Sequence, residues 1–399
     1  MRLPSRPILI LSVVAFLVML GTSIVSPVLP VYALTFGVSL ALVGLLISGF
    51  GVARFIIDLP AGVMAERVGS RRFMLFGLAV IAVSSIIAGV AWDYSILLTA
   101  RIFEGIGSAM YTTTSLTAVS RLSPKESRGA NMSLYLGMFL LGTVAGPAIG
   151  GVTAEAFGPG APFLFYGLCA VASVGLVWGS KDIRGGSITA AEPITLPQLG
   201  RLLRRYDVIS INLATICVFI TRQGVLNTVV PLYARYNLGI SLTDLGLIVT
   251  AGAVGNLGTM LLAGRLTDLY GRKPFFMFSL GLSAIFTIMI PFTTDIVQLT
   301  VVLTGMGLAL GLSGPIAAWL SDVVSSNELG GAMGLFRTMG DLGFVLAPVT
   351  LAALAEGEGQ AVEALPFFGA AAVVILIATL LVRTSDPVGE ERRRIRVKV

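Results

Sequence analysis

Apolar runs of membrane-crossing length follow one another along this chain, separated by short breaks rich in glycine, proline or basic residues. A run of about 20 residues is enough to cross a hydrocarbon core as a helix. Such runs lie near 7–30, 41–64, 73–92, 95–118, 132–153 and 161–180, then near 207–232, 243–264, 274–292, 296–322, 331–354 and 366–382. The pattern predicts an all-α integral membrane protein of twelve spans, with Pro27 and Pro30 ending the first. That first run is too long for a signal-peptide core and lacks a small-residue cleavage pattern, so it reads as a retained helix.

Within the fifth run, Gly142, Gly146, Pro147, Gly150 and Gly151 spell GxxxGPxxGG. Small residues at every fourth position strip side-chain bulk from one helix face, so a neighbouring backbone can approach closely. The proline removes a rung of the local hydrogen-bond ladder. The expectation is a tight, bendable seam.

Composition agrees with the pattern: 55% of residues are hydrophobic, 12% are charged, and the mean hydropathy is +0.92. A water-dispersed domain of this length needs far more polar surface. Charge then orients the chain. If the spans alternate, Arg67, Arg71, Arg72, Arg121, Arg128, Arg201, Arg204, Arg205, Arg265, Arg272, Lys273 and the terminal Arg392, Arg393 and Arg394 share one side, whereas the opposite loops hold only Arg235. The positive-inside rule places both termini in the cytoplasm of a multi-pass protein of the inner (plasma) membrane. The net charge of +6 reflects topology and anionic lipid headgroups rather than nucleic acid. Cys169 and Cys217 fall inside apolar spans, without CxxC spacing, and read as packing residues.

The chain also repeats itself. LAGRLTDLYGRK near 262–273 echoes PAGVMAERVGSRR near 60–72, matching Gly62 to Gly264, Glu66 to Asp268 and Gly69 to Gly271. Residues 129–147 align likewise with 330–348. Two pseudo-symmetric six-helix bundles follow, at 1–180 and 207–399, the second carrying a basic tail, with a cytoplasmic linker at 181–206. Parallel repeats of this kind put the substrate path at the bilayer midplane between halves. The linker ends in LGRLLRRY, whose leucines and arginines suit a short amphipathic helix on the inner leaflet.

On these motifs the chain resembles the major facilitator superfamily over essentially its whole length. GVMAERVGSRR is similar to that superfamily's loop signature between helices two and three, and GRLTDLYGRK to its second copy. The resemblance implies gating roles for Glu66, Arg67, Arg71, Asp268 and Arg272. RIFEGIGSAM matches the family's fourth-helix pattern through Arg101, Gly105 and Gly107. LGTSIVSPVLP and GxxxGPxxGG resemble first- and fifth-helix patterns of the twelve-helix drug:proton antiporters. Many relatives carry an acid in the first helix, where this chain offers Thr22 and Ser23.

Charges inside a membrane are costly and mark function by default. They fall at Arg54 and Asp58 in the second span, Arg101 and Glu104 in the fourth, Arg222 in the seventh, and Arg337 and Asp341 in the eleventh. The R-x-x-x-D spacing of the first and last pairs stacks both groups on one helix face. Helices two and eleven meet across the halves in this superfamily, which implies a gating ladder of Arg54 with Asp341 and Asp58 with Arg337. The alternative is pairing within each helix. Asp58, Glu104 and Asp341 are the candidate proton carriers, Glu104 having Arg101 one turn earlier as an alternative fixed partner. With no histidine, a proton relay must use carboxylates. Arg222 has no acid three or four residues away, which leaves it to an acid on another helix or to a substrate. Gln223, Asn227, Asn256 and Tyr111 complete the cavity candidates with Thr22, Ser23 and Arg101, while Met110 reads as packing.

Enzyme readings find no footing: there is no histidine for a triad or metal, no phosphate-binding loop, and no aspartate cluster for magnesium pyrophosphate. The chain reads as a secondary transporter without cofactor or metal, driven by a proton gradient. It is expected to work as a monomer that exports small amphipathic compounds by alternating access. The rival is a transporter of a metabolite such as a sugar or organic anion. Four intramembrane arginines against three acids disfavour a strictly cationic substrate.

Overall fold

In the computed structural model, residues 4–124, 127–180, 183, 200–325, 328–357 and 361–391 are described, apart from the side chains of Leu59, Val63 and Glu66. The predicted gating residue Glu66 and most of the 181–206 linker therefore lie outside the described set.

The first half holds α1 (Arg6–Val25), α2 (Leu29–Leu34), α3 (Leu40–Val68), α4 (Ser70–Gly89), α5 (Tyr94–Leu122), α6 (Arg128–Phe157) and α7 (Ala161–Gly179). The second half opens with α8 (Tyr206–Phe219), a π-helical stretch (Ile220–Val229) and α9 (Val230–Tyr236), which form one continuous span. There follow α10 (Leu242–Tyr270), α11 (Lys273–Met289), α12 (Ile296–Gly311), α13 (Ile316–Val323), α14 (Leu329–Leu354) and α15 (Leu365–Leu381). Among the described residues, ten helices are long and apolar enough to cross a membrane. With α5 and the 17-residue α15 they account for the twelve expected spans. α5 is less apolar because it carries Arg101, Glu104 and a run of hydroxyl residues, and it buries Arg101, Glu104, Ser108, Thr114 and Ser115.

The chain divides into two compact units, 1–190 with 240–250, and 191–239 with 251–399. In the first, α1 packs on α6 and α7, and α4 and α5 pack together. In the second, α8 and the π stretch pack on α14, and α11 on α12 and α15, the same scheme in the repeat.

Local chemistry repeats too. Asp93 and Asp295 cap α5 and α12 by accepting backbone amides. Gly69 and Gly271 turn the chain between signature helices at φ +93° and +95°, a region closed to residues with a Cβ. Tyr32 donates to Ala88 O (3.1 Å) beside the ring of Phe163, and Tyr233 donates to Thr293 O (2.9 Å) beside Phe367. The core of the second unit gathers Phe276, Trp319 and Leu320 with Leu202. Within LGRLLRRY, 200–202 are helical at the edge of the described residues; Leu203 is exposed and Leu202 is buried in this core. Burying that side chain in a packed core removes it from both water and lipid. Both cysteines are buried free thiols.

Candidate functional site

The glycine motif sets how closely the helices of the first unit approach. A methyl group at Gly142 would meet Phe16 O, one at Gly146 would collide with Ser23, and one at Gly150 with the carbonyl of Ile24, so all three clear a path for α1. Gly151 lies on the adjoining face, against Leu242 and Gly246 at the start of α10. Beside Pro147, the amide of Ala148 donates to Thr250 Oγ1 (3.0 Å), and Glu155 accepts the first amide of α10, Leu242 N (2.9 Å). One face of α6 thus fits α1 and the adjoining face, about 100° round the helix, fits the head of α10. Gly105 clears the carbonyl of Phe50 on α3, and Gly107 that of Gly77 on α4.

This close packing buries a polar group cluster. Glu104 is fully buried; its Oε2 pairs with Arg101, which is itself 6% exposed, and its Oε1 accepts from Ser85 Oγ at 2.8 Å. The Arg101 guanidinium also lies 4.5 Å over the ring of Phe50. A charge here is tolerable only because it is paired and hydrogen-bonded. Glu104 thus takes the local partner Arg101, with Ser85 added. Thr22 is hydrogen-bonded to Tyr166 (3.0 Å), and Ser23 stands against Gly146. Tyr111 is 1% exposed and its hydroxyl has no partner among the described residues. Arg101 and Tyr111 are therefore packed inside the first unit instead of lining open space, since their neighbours on α3 and α4 close over them.

Asp58 accepts from Thr113 Oγ1 (2.8 Å) on α5 and pairs with Arg54 one turn earlier, at 3.5 Å. The within-helix pairing is formed. Arg337 is exposed and Asp341 half-buried on α14. In the second copy of the loop signature, Arg272 pairs with Asp268 (3.3 Å) and with Asp322, while Asp386 accepts the amides of Arg272 (3.2 Å) and Lys273 (3.3 Å). In the first copy Arg71 donates to the carbonyls of Val177 (3.3 Å) and Trp178 (2.5 Å) at the end of α7, where a cation suits the helix dipole, and Arg67 is exposed. Outside the spans, the Ser325 hydroxyl and amide hold the Glu328 carboxyl below its usual range, and Arg205 bonds to it at 2.9 Å.

In the seventh span, Arg222 is exposed, and Asn227 donates its amide to Gln223 one turn before it. Asn256 is half-buried on α10, its carbonyl against Gly311. Sequence reading missed Ser85, Thr113, Tyr166, Asp322 and Asp386. A lone serine or threonine in an apolar span carries no signal of its own, whereas the Tyr32 and Tyr233 latches were available from the repeat.

A model of the Major Facilitator Superfamily matches residues 11–219 and again 211–398. The chain belongs to the Major Facilitator Superfamily. It is thus a multi-pass membrane transporter and not an enzyme. Among superfamily relatives, an uncharacterized transporter from Methanocaldococcus jannaschii is 26% identical over 363 residues, covering 89% of this chain and 93% of the relative. The quinolone resistance protein NorA from Staphylococcus aureus is 24% identical over 355 residues, covering 88% and 90%. A bacterial homologue of the lysosomal transporter Spinster, solved inward-facing and unoccupied, superposes with a TM-score of 0.80 at 15% identity, covering 96% of this chain and 97% of that one. The nucleoside transporter NupG gives 0.80 at 14%, covering 94% and 98%. These structures share the superfamily fold.

Proposed function

We propose that this transporter is a proton-coupled exporter of small amphipathic compounds, of the multidrug type, working by alternating access in the plasma membrane with both termini in the cytoplasm. The observation that carries this reading is the α6 seam. Gly142, Gly146, Gly150 and Gly151 pack without clearance for a side chain against α1 and the head of α10, on a sequence that resembles the antiporter signature. Similarity to the quinolone resistance protein NorA supports the same direction. The buried Glu104, held by Arg101 and Ser85, supplies a carboxylate whose proton uptake can be tied to movement of its partners. The proton gradient is the energy source, and gating draws on Arg54, Asp58, Arg337 and Asp341.

The test is a solute panel added to inverted membrane vesicles holding a respiration-generated proton gradient. Amphipathic solutes are expected to collapse the gradient in vesicles with this protein and not in vesicles without it. A panel in which sugars alone collapse it would favour metabolite transport over multidrug export.

A further inference from the structure

The seventh span departs from its own repeat at one place. Pro30 and Tyr32 correspond to Pro231 and Tyr233, which puts Arg222, Gln223 and Asn227 opposite Gly21, Thr22 and Ser26. In the first copy α1 is a regular α-helix through Val25; in the second, Ile220–Val229 is a π-helix. Thr228 Oγ1 bonds to the carbonyl of Gln223 five residues back (2.7 Å), and Val230 N to that of Val225. Such widened turns cost hydrogen-bond geometry and cluster at functional sites.

The widened stretch has two faces. Thr221, Gly224, Val225 and Thr228 are buried, and Gly224 is pressed against Ala347 and Leu351 of α14. The other face is accessible, with Arg222 exposed and Gln223, Leu226 and Asn227 half-buried. Among the described residues Arg222 has neither an ion pair nor a hydrogen bond, unlike Arg54 and Arg101, which have acids. An accessible arginine at mid-span that faced lipid would be severely penalised, so its exposed surface calls for water or a polar group as its neighbour. The amide that Asn227 gives to Gln223 Oε1 fixes both side chains. Among the described residues it leaves the Gln223 side-chain amide hydrogens and the Asn227 side-chain carbonyl without a further hydrogen bond, on the accessible face that carries Arg222.

We propose that Arg222, flanked by Gln223 and Asn227, binds the anionic group of the transported solute, which makes amphipathic organic carboxylates the favoured class. The guanidinium fork matches a carboxylate with two parallel hydrogen bonds, and the open amide edges take a neighbouring hydroxyl or carbonyl group. The apolar body of the solute then lies along the remaining wall of the span. This assignment rests on the transporter reading and narrows its substrate.

The test uses the full chain, purified into nanodiscs, with pyrenebutyrate and its neutral counterpart pyrenebutanol as probes, followed by fluorescence anisotropy against empty nanodiscs. The wild-type protein is expected to bind the carboxylate about tenfold more tightly than the alcohol. Arg222→Gln is expected to bring the carboxylate down to the alcohol's affinity, and Arg222→Lys to keep part of the preference, since it keeps the charge and loses the fork. Equal affinities in the wild type overturn the proposal, and so does a preference that survives Arg222→Gln. Retained alcohol binding reports an intact pocket. If Arg222→Gln loses the alcohol as well, Arg222→Lys decides by whether it still favours the carboxylate. Binding needs no proton gradient. A solute panel that never collapses the gradient therefore sinks the exporter reading alone, and absence of carboxylate preference sinks this assignment alone.

Discussion

Glu104 and Arg101 form the most consequential pair at the scale of single residues, because both lie buried in a span that would otherwise be apolar. Glu104→Gln preserves shape and the Ser85 contact while removing the titrating group. It is expected to bind solute as the wild type does and to lose proton-driven accumulation in proteoliposomes; normal accumulation would remove Glu104 from the coupling path. Arg101→Ala leaves the carboxylate without its cation, a change worth about 3–5 kcal/mol in protein interiors. It should appear as a lowered melting temperature in detergent, only partly restored by Arg101→Lys, which cannot reproduce the fork. The positions of these charges were legible in the sequence, since an arginine and a glutamate in a greasy run stand out. Their partners were legible only when one helical turn away: Arg101 beside Glu104 was readable, Ser85 on another helix was not.

The elements themselves were readable because a bilayer dictates their length, and the helix ends fall close to the edges of the apolar runs. α1 stops at Val25 ahead of Pro27, and a second short helix restarts at Leu29. The π-helical stretch was not readable, because nothing in ITRQGVLNTV distinguishes a five-residue ladder from the ordinary one. The glycine seam was readable as a demand for closeness. Its two partners, α1 on one face and the head of α10 on the adjoining one, were not readable, because the spacing names no neighbour. Gly150→Ala would drive a methyl group into the carbonyl of Ile24, overpacking that typically costs about 1–3 kcal/mol. Gly137→Ala, on the same helix with open space around it, should leave the melting temperature unchanged. Equal effects of the two would remove the steric basis of the seam.

For the whole molecule, the repeat was the most informative property of the sequence, because it fixed two bundles before any helix was located. It says nothing of the linker, whose Leu202 is buried in the core of the second unit while Leu203 is exposed. Glu328 helps hold that end of the linker through Arg205. Its carboxyl lies below the usual range, so this tie is present above the unfolded-state pKa and is lost as pH falls through the lowered folded value. Limited proteolysis at the linker should therefore quicken on acidification, and less so in Glu328→Gln. Gating by opposed charges predicts that Asp58→Arg and Arg337→Asp each abolish transport and that the double variant recovers some of it. No recovery would count against that coupling.

The central claim, that solute and proton share one carrier, is tested most directly by adding a binding solute to purified protein in weak buffer and recording pH. Proton release that accompanies binding and vanishes in Glu104→Gln is the predicted result. Saturable binding with no proton change in the wild-type protein would contradict it.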